Sequence, residues 1–253
     1  AGTLLAAAAA GAIEFDGNYL YYTDSTPTRH QLSTDLVGYT HSASPWGTAL
    51  GSGTAASGAG GLYRTLLGYQ AGASVTTNGD GNTLLGYQSG DAVSTGTYNT
   101  AVGMSSLGAA NTGTGNTAVG YQSAGSITGT HYHVAIGYQA AATGTGGAGY
   151  SVCIGYQAGY NLATGYNVFI GSQSGYTAVG GNNNIAIGQQ CIYGGDTNTA
   201  HTVAIVTYAG QYARSTSGVF IGYQAGMASV GSPMTGNNTV AIGTNALYVC
   251  AAA

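Results

Sequence analysis

The chain has no lysine, one glutamate and one tryptophan, and only three each of arginine, proline and cysteine among 253 residues. Three arginines against seven acids, for a formal charge of −4, leave no cationic surface to neutralise a phosphate backbone. Nucleic acid is therefore not an expected partner. No apolar run reaches the roughly 18 residues that a membrane-spanning helix needs, so insertion into a membrane as a helix is not expected either. Residues 1–12 are apolar but carry no basic segment, which makes them a poor secretory leader. Scarce proline, and glycine that does not fall at every third position, exclude collagen. Intrinsic disorder combines low hydrophobicity with high charge, whereas this chain is 44% hydrophobic and 4% charged.

Scarce carboxylates and an odd cysteine count narrow the chemistry further. A glycosidase needs two carboxylates flanking one bond, but Glu14 stands alone and Asp80, Asp91 and Asp196 fall in separate turns. No nucleophile-elbow motif occurs. Gly144-Thr-Gly-Gly-Ala-Gly149 matches a dinucleotide fingerprint by letter but lacks the helix that would hold a pyrophosphate. No enzyme activity and no cofactor are expected. Cys153, Cys191 and Cys250 are far apart, without a Cys-x-x-Cys pair, and read as small apolar residues.

What the chain does have is glycine, 46 residues of it, and tyrosine, 21 residues. Both belong to a repeat. A short β-type run ends in an aliphatic residue followed by a marker glycine, as in Asn82-Thr-Leu-Leu-Gly-Tyr-Gln88, Asn116-Thr-Ala-Val-Gly-Tyr-Gln122 and Val134-Ala-Ile-Gly-Tyr-Gln139. The markers are Gly68, Gly86, Gly103, Gly120, Gly137, Gly155, Gly171, Gly188, Gly222 and Gly243, with Val206 in the ninth place. Their spacings run 18, 17, 17, 17, 18, 16, 17, 18, 16 and 21. So short a period, sustained over most of the chain, means a repeat architecture, in this case an all-β solenoid, a β-roll of coils about 17 residues long. With strands about 4.8 Å apart, eleven coils predict a rod segment roughly 50 Å long.

Counting from the marker glycine, positions −1 and −3 hold large aliphatic or β-branched residues in every coil, which predicts that they form the core stripe. Position −2, alanine in six coils, then lies on the opposite face and needs cover from another chain or layer. After the turn, Tyr-Gln-Ala/Ser-Gly recurs and a variable stretch leads back, so each coil is expected to hold two short strands and two turns. Stacking puts like on like. Gln70, Gln88, Gln122, Gln139, Gln157, Gln173, Gln190 and Gln224 at position +2, and Asn82, Asn99, Asn116, Asn167 and Asn184 at position −4, are expected to form amide ladders.

Residues 1–35 differ in kind. Asp16-Gly17 between two β-rich runs predicts a two-residue hairpin, followed by a loop over residues 24–29, and the segment reads as a connector module. Residues 36–253 read as the solenoid, regular from about 62 to 247, with degenerate coils at Leu36-Val-Gly38 and Ala49-Leu-Gly51. His131-Tyr-His133 is the one metal-ligand spacing: residues two apart in a strand share a face, and threefold symmetry would bring six imidazoles to one axis. A ladder role for these histidines is the plainer alternative.

The Asn-Thr-Ala-Val-Gly and Val-Ala-Ile-Gly runs resemble the head repeats of trimeric autotransporter adhesins of the YadA type. The fuller Asn-Thr-Ala-Val-Gly-Tyr-Gln form is similar to repeats of phage tail-fibre-like proteins, where a segment like residues 11–29 accompanies them. The resemblance covers roughly residues 11–30 and 62–247. It implies a homotrimeric fibre outside a cell or on a virion, attaching to a surface glycan or protein. An alternative is a subunit that polymerises end to end into an extracellular filament by strand augmentation.

Overall fold

The computed structural model describes residues 13–15, 20–23 and 29–31 by their backbone, and residues 47–54, 63–76, 78–109, 112–144, 149–177, 181–194, 199–229 and 233–248 in full. Leu36-Val-Gly38, Asp196 and Cys250 lie outside the described residues.

The amino-terminal part is a small antiparallel sheet. Strands β1 (Ile13–Phe15), β2 (Leu20–Thr23) and β3 (Arg29–Gln31) lie side by side in that order. Phe15 pairs with Leu20, so four residues, not the two of the Asp-Gly reading, connect the first pair. The expected loop ends in a third strand, with Thr23 opposite Arg29.

The rest is a β-solenoid. Twelve three-residue strands, β4 (Thr48–Leu50) to β15 (Val240–Ile242), form one parallel sheet in strict chain order. The pairing is in register throughout: Thr100 faces Thr117, Ala101 faces Ala118 and Val102 faces Val119 in the pair β7 (Thr100–Val102) and β8 (Thr117–Val119). The coil at Ala49-Leu-Gly51 is real, since β4 pairs with β5 (Thr65–Leu67). Spacing differences of up to five residues between coils leave the register untouched, so the variable stretches absorb them.

Three physical demands shape each coil. The marker glycine turns the chain at φ between 117° and 143° and lies over its copy in the next coil. A Cβ on Gly86 would sit 2.5 Å from the carbonyl oxygen of Gly103, so both the dihedral and the space require glycine. Next, position +2 adopts the left-handed conformation in every coil, as in Gln122 (φ 49°) and Gln139 (φ 51°). Successive tight turns result. Among the described residues the expected second strand is therefore absent, and a single parallel bridge, Thr114 to His131, stands outside the named strands. Backbone bonds nonetheless continue from coil to coil through the turns, with Gln88 N donating to Tyr69 O at 2.8 Å and Gly90 N to Ser106 O at 2.9 Å.

The face assignment is the reverse of the expectation. Position −2 is buried in β5 to β15, from Leu66 to Ala241, while positions −1 and −3 are half-buried or exposed. A coil this short closes around a narrow interior, which admits the middle residue of a three-residue strand and turns its two flanks outward. The larger β-branched pair then occupies the outer surface. The core is thin, made of Ala101, Ala118, Ala135, Ala186 and Ala204 with a few larger side chains such as Phe169, Phe220, Leu84 and Ile127.

Candidate assembly face and side-chain ladders

The outer surface of the twelve-stranded sheet carries two parallel columns of side chains, positions −1 and −3 of each coil. Leu67, Leu85, Ile136, Ile185 and Ile187 are 37 to 41% exposed, and Val240 and Ile242 at the end of the stack 62 and 66%. The −3 column is threonine in Thr65, Thr83, Thr100 and Thr117 and aliphatic from Val134 onward. The apolar character thus grows toward the carboxy-terminal coils. No Asp, Glu, Lys or Arg occupies either column in any coil.

The interior is lined by a polar column at position −4. Each asparagine there closes two needs of the following coil. Asn82 Oδ1 accepts the N–H of Asn99 at 2.9 Å, and Asn82 Nδ2 donates to Gly96 O at 2.7 Å. Asn99 does the same for Asn116 and Gly113, and Asn167 for Asn184 and Gly181. These backbone groups are buried, and an unmet buried polar group costs about 1–3 kcal/mol, so the ladder is structural in the strict energetic sense. Ser151 and Thr202 continue the column with hydroxyls; Ser151 Oγ accepts from Asn167 N at 3.1 Å. At the other end stands Arg64, buried in the same column, its pKa lowered by burial against an opposing pull from Asp80.

His133 belongs to this column. Its N–H donates to Asn116 Oδ1 at 2.9 Å and its ring is wholly enclosed by its own chain. His131 is exposed, with Nδ1 accepting the N–H of Thr114 at 3.2 Å. Tyr132 between them is left-handed at φ 55°, which sends the two rings to opposite sides and removes the shared strand face on which a metal site depends. Among the described residues no three of His, Cys, Asp and Glu gather closely enough to hold a metal ion. Within the described residues no helix is long and apolar enough to cross a membrane.

The glutamines form a second ladder on the outside of the turn. Gln88 Nε2 donates to Gln70 Oε1 at 2.8 Å, and Gln139, Gln157, Gln173 and Gln190 each donate to the preceding one at 2.8 to 3.1 Å. Ser105 interrupts it, and where Tyr208 takes the position Gln211, three residues on, reaches back to Gln190 at 3.1 Å. Among the described residues Gln224 is outside the ladder, with Tyr208 and Asn245 at this position in the coils on either side. Tyrosines stack in three further columns: Tyr121, Tyr138 and Tyr156 at 5.1 and 5.5 Å; Tyr150 on Tyr166 at 5.2 Å; and Tyr160, Tyr176 and Tyr193 at 5.1 Å.

Cys153 and Cys191 are free thiols in core positions. Burial raises both pKa values, that of Cys191 to about 12, and Cys191 Sγ donates to Val206 O at 2.7 Å. They are packing residues with little thiolate at neutral pH.

No family model matches the chain, and no curated protein or solved structure does. The likeness to adhesin and tail-fibre repeats stands on the repeat motif alone.

Proposed function

We propose that the chain is a structural subunit of an extracellular or virion fibre, a homotrimeric shaft that supports or carries out attachment to a host or surface. The observation that carries this reading is the pair of uncharged columns on the outer sheet face, one aliphatic in the coils from Leu67 on and the other aliphatic from Val134 onward. A soluble monomer rarely exposes a contiguous apolar patch so extended. Threefold packing of this face around an axis would remove Leu67 through Ile242 from water while leaving the glutamine and tyrosine ladders outside. Burial of such rows contributes roughly 25 cal/mol per Å² of apolar surface. Low net charge puts little repulsion in the way of association.

A second reading is favoured by one feature. β15 (Val240–Ile242) ends the sheet with no strand on its outer side among the described residues. An open edge of this type templates another strand, so end-to-end polymerisation into a filament would also use the geometry. Electron microscopy of the purified chain, with sedimentation at micromolar concentration, tests both. Discrete rods of three chains support the fibre, continuous filaments the second reading, and a monodisperse monomer overturns both.

A further inference from the structure

The surface column at position +5, just after each Tyr-Gln-Ala-Gly turn, is filled in some coils and empty in others. From the Gly86 coil to the Gly188 coil it reads Asp91, Gly108, Gly125, Ala142, Tyr160, Tyr176 and Tyr193. Where the side chains are missing, over Gly108, Gly125 and Ala142, the surface sinks into a trough of about 330 Å³. That volume lies at the low end of the roughly 300–1,000 Å³ of small-molecule sites.

The backbone dihedrals do not require glycine at Gly108 or Gly125, since neither has a positive φ. An added Cβ would sit 3.2 Å from Gly125 O and 3.1 Å from Gln122 O, so a side chain there needs the backbone to give by about a few tenths of an ångström. Other coils hold a carboxylate or a phenol ring at the same position, so the repeat accommodates a side chain there.

The trough has chemically distinct walls and ends. Gln122 and Gln139 of the glutamine ladder line one side, Ser126 and Thr143 line the trough with hydroxyls, and amide and hydroxyl groups both donate and accept. One end is the Asp91 carboxyl, which when ionised accepts hydrogen bonds and donates none; partial burial raises its pKa. The other end is Tyr160. Tyr176 lies against one face of that ring, centroids 5.1 Å apart and planes 13° from parallel. The coil before it offers only the Ala142 methyl at this position, so the other face of Tyr160 is turned to the trough. An aromatic face flanked by amides and hydroxyls, with no cation among the lining residues, suits a ring that is apolar on one side and hydroxylated at its rim.

We propose that the trough between Asp91 and Tyr160 is a binding site for a neutral hexose or N-acetylhexosamine of a surface glycan. A sugar ring stacks on the free face of Tyr160 and its hydroxyls bond to the Gln139 and Gln122 amides; Asp91, four coils or roughly 19 Å along the stack, meets only a further ring of the same oligosaccharide. The absence of a cation at the site selects against sialylated and other anionic sugars. This inference rests on the attachment reading above and gives it a ligand class.

The test is saturation-transfer NMR and a glycan array on the full chain in its assembled state, with lactose, cellobiose, N,N′-diacetylchitobiose and sialyllactose as probes. The expected result is binding of one or more neutral probes and none of sialyllactose. Gly125→Tyr fills the trough and Tyr160→Ala removes its platform; each is expected to weaken binding about tenfold or more. Tyr193→Ala, in the same column two coils beyond Tyr160, is the control and leaves binding unchanged. Wild-type rods imaged by microscopy that bind no neutral probe overturn the trough while leaving the fibre intact. Binding that survives both substitutions in folded protein overturns the location. Loss of threefold rods sinks the fibre reading itself, whatever the sugar result.

Discussion

The Phe169 ring occupies the space that any side chain on Gly175 would need: a Cβ built there falls 2.5 Å from Phe169 Cδ2. The relationship recurs in every described coil with a large residue or cysteine at position −2. Where position −2 is large, at Leu66, Leu84, Cys153, Phe169 and Phe220, position +4 is glycine, at Gly72, Gly90, Gly159, Gly175 and Gly226. Where −2 is alanine, as in Ala101 and Ala186, position +4 is Leu107 or Ile192, fully buried and left-handed at φ 54° and 50°. Ala204 keeps Gly210 because Phe220 of the next coil already fills that space, 2.9 Å from a built Cβ. In these coils interior volume is conserved by exchange across the coil, whereas the coils of Ala118 with Ala124 and of Ala135 with Ala141 are small at both positions.

Gly175→Leu should therefore cost about 2–5 kcal/mol, from overpacking and from the left-handed conformation. Phe169→Ala should cost about 3–5 kcal/mol through the cavity. The pair Phe169→Ala with Gly175→Leu copies the coil of Ala101 and Leu107 and is expected to recover part of the loss, a coupling of about 0.5–3 kcal/mol in a denaturation double-mutant cycle. Additive losses would refute the exchange.

That pattern is written in the sequence, yet it is invisible once positions −1 and −3 are taken as the core. Period, coil count, strand positions and both amide ladders follow from the repeat because in-register stacking is one-dimensional and needs no tertiary information. The direction in which a three-residue strand faces does not. Hydrophobicity points Val203 and Ile205 inward, but the closure of a short coil decides otherwise, and only the narrow interior explains why the small residue, Ala204, goes in. The pairing of −2 with +4 was the available signal. His131 and His133 failed as a pair for a related reason: a left-handed residue at −5, Tyr132, breaks the strand alternation that the His-x-His reading assumes. The trough shows in the sequence only as absence, Gly108 and Gly125 where Tyr176 and Tyr193 stand in later coils.

Asn116 bridges two coils by accepting from His133 N and donating to Thr130 O at 2.9 Å each. Asn116→Ala leaves both buried groups without these bonds and should destabilise the rod by about 2–4 kcal/mol. The reciprocal change, His133→Asn, restores the repeat residue of the column. It should raise the thermal midpoint; a lowered midpoint would show that the imidazole is itself a required part of the core.

Val206 takes the marker position at φ 86°, where a β-branched residue is strained. The ladder passes through it undisturbed, with Val206 N to Ile187 O at 2.8 Å. Val206→Gly relieves about 1–2 kcal/mol of strain, offset in part by the chain entropy of glycine at about 0.5–1 kcal/mol. A modest rise in denaturation midpoint is expected, together with unchanged rod morphology.

Burial raises the pKa of Cys191 from 9.0 to about 12. The pKa of Tyr176 is raised from 10.0, first by burial and then by its neighbours Tyr160, Tyr193 and Tyr156. Each group holds its proton more tightly folded than unfolded, so the unfolded chain ionises first. The stability they contribute is full below pH 9.0, the unfolded thiol value, and declines as pH rises from there toward about 12. Denaturation followed across this range should show the decline, and Cys191→Ser should shallow it. Stability that is flat to pH 12 would place Cys191 in water.

The last prediction concerns the outer face, because assembly and folding make opposite demands on it. Ile136 and Ile187 project from the outer face of the sheet, 37 and 38% exposed, while Ala135 and Ala186 beside them fill the interior. In an isolated chain, Ile136→Lys together with Ile187→Lys would be nearly neutral, since exposed substitutions away from special features change stability by about 0.5 kcal/mol or less. In a trimer packed on this face each lysine is buried against its symmetry copies, and unpaired charge at an interface costs several kcal/mol. The double variant should therefore keep the β spectrum of the solenoid and sediment as a monomer. If it still forms threefold rods, chains meet through a different surface and the aliphatic columns need another explanation. If it loses its β structure along with its partners, coil folding and assembly are one event, and the thin alanine core is insufficient without the neighbouring chains.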